Sequence, residues 1–331
     1  MGQVNRSFSF LCVAIVLVGC SGGAGSGKLV SVPSPKDTGQ PIDSTGAASN
    51  TDVKVDPIVE AAKPPPVEPI DIRLAFTDGR RETYVLTNSI STFTQGDKPN
   101  ELFEQKSFLN AEQVVGVQKA TETNALVTVH TQNVKAGVQG TSIEANEADN
   151  FIKKTAENIE GSTLQGSFDR TGRGSDLYLL GNGVGLNPMG FQAGSQSLMV
   201  GFMGVVFPSK AVKPGDSWKG TLDMSQSGED LFEQAGGRVS NGEVPLTYTL
   251  IDYNPKTNFV KIGISGKGTP IIKVPMQGAV VEIKMLVETK GQALVRYNDG
   301  WLQELRLEST IVTEGFVATR QVVRTVTQRQ R

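Results

Sequence analysis

Ala279-Val280-Val281-Glu282-Ile283-Lys284-Met285-Leu286-Val287-Glu288 is the stretch whose pattern decides the fold class. Ala279, Val281, Ile283, Met285 and Val287 share one side of an extended chain, while Glu282, Lys284 and Glu288 share the other. A period of two marks a strand with one dry and one wet face. Working outward, Ala293–Tyr297 is followed by Asn298-Asp299-Gly300 and then by the alternating run Trp301–Val312. Asp-Gly between two alternating runs is a hairpin signal, because both residues tolerate positive φ. Leu305, Leu307, Ser309 and Ile311 oppose Glu304, Arg306 and Glu308, and a last strand is predicted over Phe316–Thr327. These segments read as an antiparallel meander with one solvated face.

The same reading extends toward the N-terminus. Strands are predicted at Ile72–Phe76 and Glu82–Thr87, joined through Asp78-Gly79, and at Gln113–Lys119, Ala125–Gln132, Leu164–Asp169, Asp176–Leu180, Pro245–Tyr253 and Asn258–Ser265. Two helices are expected, at Glu147–Ile159 and Gly194–Val206, each with an apolar stripe. The strand–loop–strand plan of Val114–Gln132 returns at Leu246–Gly266, and Leu164–Leu180 is echoed by Gly291–Leu307. The expectation is a mainly β (α+β) domain over 71–331. Its curved antiparallel sheets come from two similar halves, about 71–190 and 207–331, with one or two helices packed against them.

The N-terminus has a different character. Arg6 is followed by the apolar run Phe8–Gly19, which is too short for a membrane span of about 20 residues. Charge, length and flanks are those of a secretory signal. Leu17-Val18-Gly19-Cys20 resembles the bacterial lipobox. That resemblance implies cleavage between Gly19 and Cys20, acylation of the Cys20 sulfur, and a mature protein held in a membrane outside the cytoplasm. Ser21, rather than Asp, follows the cysteine, which in such lipoproteins favours the outer membrane. The chain's two cysteines, Cys12 and Cys20, both lie in this segment, so the domain itself has no thiol for a disulfide, a metal or catalysis.

Residues 20–70 form a tether. No aromatic residue occurs between the signal and Phe76; Gly and Ser dominate the start, and Pro64-Pro65-Pro66 and Pro69 the end. Such a composition cannot bury enough apolar surface to offset ordering entropy. As a coil, fifty residues span about 40 Å. Gly22–Lys28 reads G-x-x-x-x-G-K, but Leu29 stands where a phosphate loop needs Ser or Thr, and no strand precedes it.

Charge and reactive residues narrow the function. With 32 Lys and Arg against 34 Asp and Glu, the chain has none of the basic excess that nucleic-acid binding requires. His130 is the only histidine, which excludes multi-histidine zinc sites. No Gly-x-Ser-x-Gly elbow is present, and Gly181-Asn182-Gly183-Val184-Gly185 runs into Leu186 and Pro188 rather than a helix. The sequence implies no cofactor and no metal. Val212-Lys213-Pro214-Gly215-Asp216-Ser217-Trp218, followed by strands, resembles an uncharacterised family of bacterial cell-envelope lipoproteins, from about Ser197 to the end. The family carries no activity to transfer. The physical content of the motif is structural: Pro214, Gly215 and Asp216 make a turn, and Trp218 enters the core at a strand start.

The leading expectation is a lipid-anchored envelope protein that binds an apolar ligand or an envelope partner without catalysis. A structural module docking on another envelope protein is the first alternative. A glycan hydrolase working through a carboxylate pair is the second, because such pairs assemble in space and leave no local trace.

Overall fold

The computed structural model describes residues 68–95, 102–139, 149, 153, 156–157, 160–180, 205–223, 238–240, 242–276, 279–314 and 319–330. Among these lie thirteen strands: β1 (Arg81–Gln95), β2 (Leu102–Gln118), β3 (Asn124–Gln139), β4 (Thr163–Asp169), β5 (Gly174–Leu180), β6 (Ser217–Asp223), β7 (Arg238–Ser240), β8 (Glu243–Asn254), β9 (Phe259–Gly268), β10 (Ile271–Met276), β11 (Ala279–Arg296), β12 (Leu302–Glu314) and β13 (Thr319–Arg329). They form one antiparallel sheet, ordered β5-β4-β3-β2-β1-β13-β12-β11-β9-β8-β6, that does not close into a barrel; β10 leaves this path to pair with β11 and β7. The first and last strands meet in the middle, in register from Tyr84↔Arg329 to Thr94↔Thr319.

Alternation determines which face is dry. On β8, Val244, Leu246, Tyr248 and Leu250 are buried, and across the ladder Val260, Ile262 and Ile264 continue that face on β9. Ala293, Val295 and Leu305 carry it onto β11 and β12. The hairpin at Asp299-Gly300 closes as its sequence requires. Gly300 takes φ +69° and donates to the Arg296 carbonyl at 2.9 Å. Any side chain at Gly300 would strike the Arg73 backbone, so glycine is needed there on two counts.

Two extended segments, 70–76 and 205–216, cross the strand ends and seal the dry face at one end. Ile70 and Val212 form an isolated bridge. Leu74 N donates to the Arg170 carbonyl at 2.9 Å, and Phe207 N donates to that of Thr171 at 2.8 Å, both in the β4–β5 turn. Gly215 N donates to the Leu250 carbonyl at 2.8 Å, on β8. The segments therefore span from one flank of the sheet to the other, bringing Ile70, Ile72, Leu74, Val205, Phe207 and Val212 into the core. Trp301 is fully buried against them, its Nε1–H donating to the Ala75 carbonyl at 3.0 Å.

Several expectations need correction. Ile72–Phe76 alternates like a strand but is a strap, because it crosses strand ends and has no parallel or antiparallel neighbour to form a ladder. Ala279–Val287 and Ala293–Tyr297 are one continuous strand, β11. The runs starting at Gln113 and ending at Thr87 and Gln132 are the inner parts of longer strands β2, β1 and β3. Of the first expected helix, the described residues Asp149, Lys153, Ala156 and Glu157 are helical. Of the second, Val205 and Val206 are not helical, and the remainder lies outside the described residues. The hairpins β2–β3 and β8–β9, which carry the expected repeat, lie on opposite flanks of the β1–β13 seam.

Candidate functional site

The Pro214–Trp218 motif makes its turn with a built-in brace. Asp216 N donates to the Lys213 carbonyl at 2.9 Å, and Lys213 N donates back to Asp216 Oδ2 at 3.0 Å. Gly215 sits at φ +95°, a conformation that L side chains resist. Trp218 then packs at the edge of the core. Its ring stacks on Tyr248 with centroids 5.9 Å apart, and its Nε1–H donates to the Val206 carbonyl. Burial pushes the Tyr248 hydroxyl up to about 12, against the lowering effect of its own bond to the Val206 backbone. These residues brace the turn that leads into β6.

A charged clasp locks the sealed end. Glu82 Oε1 accepts from Arg80 at 2.8 Å and Arg296 at 3.2 Å, and Oε2 accepts from Arg329 at 2.5 Å. Asp299 accepts from Arg80 at 2.8 Å and from Arg296 at 2.9 Å. The Arg80 guanidinium also lies 4.1 Å over the Trp301 ring. Burial works to raise the Glu82 pKa, but the hydrogen bonds and charges of Arg329 and Arg80 outweigh it and hold the carboxyl below its usual range. This cluster joins β1, β13 and the β11–β12 turn.

The wet face carries the open concavities. One depression of about 630 Å³ spans β8, β9, β11, β12 and β13. Its middle is the cross-strand row Gly263–Gln292–Arg306–Val326, with Ile251 at one margin. Ile251 is 44% exposed, one of the most exposed large apolar residues described. Gly263 leaves the floor bare, and a Cβ there would touch only the end of Ile251 at 3.1 Å and backbone farther off. A second depression of about 530 Å³ adjoins it, sharing Ser265, Lys290 and Glu308. Its lining includes Lys219, Lys267 and Glu288. Together they form one trough: its Gly263 end is bordered by Ile251 and carries Gln292 and Arg306, and its other end is crossed by Lys219, Lys267, Lys290, Glu288 and Glu308.

Ion pairs cross the charged end: Lys267–Glu288 at 2.5 Å, Lys290–Glu308 at 3.0 Å and Arg324–Glu308 at 2.9 Å. Hydrogen bonds from Lys290 and Arg324 hold Glu308 below the usual carboxylate range, and Lys267 does the same for Glu288. Elsewhere Glu112 is lowered by amide groups of Asn133, Gln132 and Gln330. A general acid needs the opposite shift, so these carboxylates are organised as charge partners. Among the described residues no group of three or more His, Cys, Asp and Glu is placed to hold a metal ion.

Cys20 and Gly19, and the Gly181–Gly185 loop, lie outside the described residues. His130 sits half-buried on β3, its Nδ1 3.0 Å from Thr163 Oγ1, beside a small depression of about 230 Å³. The dry face holds a feature that the alternation pattern concealed. The Tyr84 hydroxyl, Asn88 Oδ1, Gln105 Nε2, Thr319 Oγ1 and Thr327 Oγ1 are buried there without a hydrogen-bond partner among the described residues. Glycine and alternation signals do not report such a row, nor do they report the trough, whose floor is assembled from five strands.

No family model matches the chain, and no curated protein matches it. Solved structures with some likeness include lipovitellin, described for its lipid–protein interactions. It matches at 11% identity over 78% of this chain with a TM-score of 0.41. The chain spans about a quarter of its length, 26%. Salmonella typhi OmpF in complex with daunomycin matches at 7% identity, over 78% of this chain and 100% of its own, with a TM-score of 0.26. An outer membrane channel from Pseudomonas putida F1 matches at 10% identity, over 80% and 100%, with a TM-score of 0.22. Likeness at these scores assigns no role to this chain.

Proposed function

We propose that this chain is a cell-envelope protein, anchored by acyl chains on Cys20, that holds an apolar ligand in the wet-face trough without transforming it. The observation that carries the reading is the bare floor at Gly263 beside Ile251, in a depression that reaches Val326 across Gln292 and Arg306, on a face otherwise covered with charge. A solvated sheet face ordinarily fills such positions with polar side chains. The resemblance of Leu17–Cys20 to a lipobox and the composition of the tether support a location outside the cytoplasm, at a membrane, with Ser21 favouring the outer one. The carboxylates nearest the trough are ion-paired and ionised, which suits binding rather than hydrolysis.

The test uses the full chain carrying Cys20→Ala, so that its own acyl groups do not interfere, and equilibrium dialysis of radiolabelled monolauroylglycerol. One site per chain is expected. Gly263→Leu places a side chain on the floor, its Cβ 3.1 Å from the end of Ile251, and should weaken binding about tenfold, equivalent to about 1.4 kcal/mol. Its melting temperature should stay near that of the parent. Unchanged binding in Gly263→Leu, or no binding in either protein, removes the trough as the ligand site.

A further inference from the structure

We infer that the ligand is an anionic amphiphile, seated with its chain over Gly263 and its acidic headgroup against Lys219, Lys267 and Lys290. This rests on the trough being a ligand site and adds the chemistry of its occupant.

The trough's two ends differ in kind. The rows of the ladder run Gly263–Gln292–Arg306–Val326, then Ser265–Lys290–Glu308–Arg324, then Lys267–Glu288–Thr310. From the Gly263 row to the Lys267 row is four residues, about 13 Å along the strand. An occupant seated over Gly263 therefore meets bare backbone beside Ile251, with Gln292 and Arg306 alongside in the same row and the Lys290 and Lys267 rows one short chain-length away. Lys219 on β6 extends the cationic end, opposite Thr247 in the Ser265 row.

Charge complementarity sets the sign of the headgroup. The trough is lined by five cations, Lys219, Lys267, Lys290, Arg306 and Arg324, and two carboxylates, Glu288 and Glu308, with Glu304 outside the lining pairing Arg306. The whole chain carries −2, so the surplus is local and runs against the overall charge. Lys219 donates to Thr247 Oγ1 at 2.7 Å and has no carboxylate partner among the described residues. Lys267 and Glu288 are 65% and 53% exposed, so their pairing is weak and yields to an incoming anion. Cations on flexible stems above a trough floor are suited to a phosphate or carboxylate that arrives attached to an apolar chain.

The experiment titrates the full Cys20→Ala chain calorimetrically with dodecyl phosphate, with uncharged monolauroylglycerol of matching chain length, and with inorganic phosphate. All are kept below micelle-forming concentrations. Dodecyl phosphate should bind about tenfold more tightly than the uncharged lipid, a difference of about 1.4 kcal/mol. In a triple variant, Lys219→Gln with Lys267→Gln and Lys290→Gln, that ratio should fall to about one. Raising the salt should narrow the ratio in the parent. Equal affinity for the charged and uncharged lipids overturns the headgroup assignment while leaving the trough reading intact. Binding of neither overturns both. Inorganic phosphate binding as tightly as dodecyl phosphate, or attachment to anionic vesicles without uptake of monomer, also overturns the inference.

Discussion

Replacing Glu82 by Gln keeps the side chain's size and removes the charge on which three guanidiniums converge. Glu82 is 8% exposed, and Arg80, Arg296 and Arg329 are 17%, 21% and 28% exposed. Removing one partner of a buried ion pair costs about 3–5 kcal/mol, because the remaining charge is left uncompensated. Here water reaches the arginines in part and Asp299 still pairs two of them, so the low end applies, about 3 kcal/mol. For a domain of this size that corresponds to a fall in melting temperature of roughly 6–12 °C. Urea unfolding followed by far-UV circular dichroism measures the difference directly. The pH dependence supplies a second check. The folded Glu82 carboxyl lies below its ordinary value of 4.5, so its contribution is complete above that value and is lost as the pH falls through the folded one. The gap between parent and variant should be constant through neutral pH and close in acid. A loss under about 1 kcal/mol at pH 7, the range of an exposed surface pair, would refute the clasp. A gap that persisted below the folded pKa would do the same.

Three further outcomes follow from the structure. Thr327→Val, which deletes a fully buried hydroxyl with no partner, should stabilise the domain by about 1 kcal/mol; destabilisation in urea would mean the hydroxyl is satisfied. Trp301→Phe keeps a ring under Arg80 but orphans the Ala75 carbonyl, and should cost about 1–3 kcal/mol by thermal melting, with no loss showing that the strap is held otherwise. Cys20→Ala should move the protein from the membrane to the soluble fraction and abolish incorporation of labelled palmitate, whereas unchanged partitioning would end the anchor proposal.

Local chemistry explains which elements were readable. β11, β12 and their hairpin are legible because apolar alternation and Asp299-Gly300 state the same answer twice. The second half of β1 was not, since Asn88 and Thr92 take buried positions where the pattern calls for apolar residues. β2 hides its first half in the same way: Ser107 points inward and Phe108 outward, which reads as the wrong register. Lys290-Gly291-Gln292 looked like a break, yet β9 and β12 both pair through it. The strap at Ile72–Phe76 has strand periodicity without a ladder, and only its tertiary contacts tell the two apart. The turn at Pro214–Asp216 was readable because it is made by neighbours in sequence. The clasp was not: Arg80 and Glu82 are separated from Arg296, Asp299 and Arg329 by most of the chain. The trough is likewise a product of register, since Ile251, Gly263 and Val326 line one depression only once β8, β9, β11, β12 and β13 are aligned.

The most direct measurement is photo-crosslinking with a diazirine-bearing twelve-carbon alkyl phosphate, followed by peptide mass spectrometry of the full chain. The account predicts adducts on the wet-face strands, at Ile251, Gly263 and Val326, that are suppressed in Gly263→Leu and by excess dodecyl phosphate. Adducts confined to the dry-face residues of β1, β2 and β13, or scattered without saturation, would contradict it.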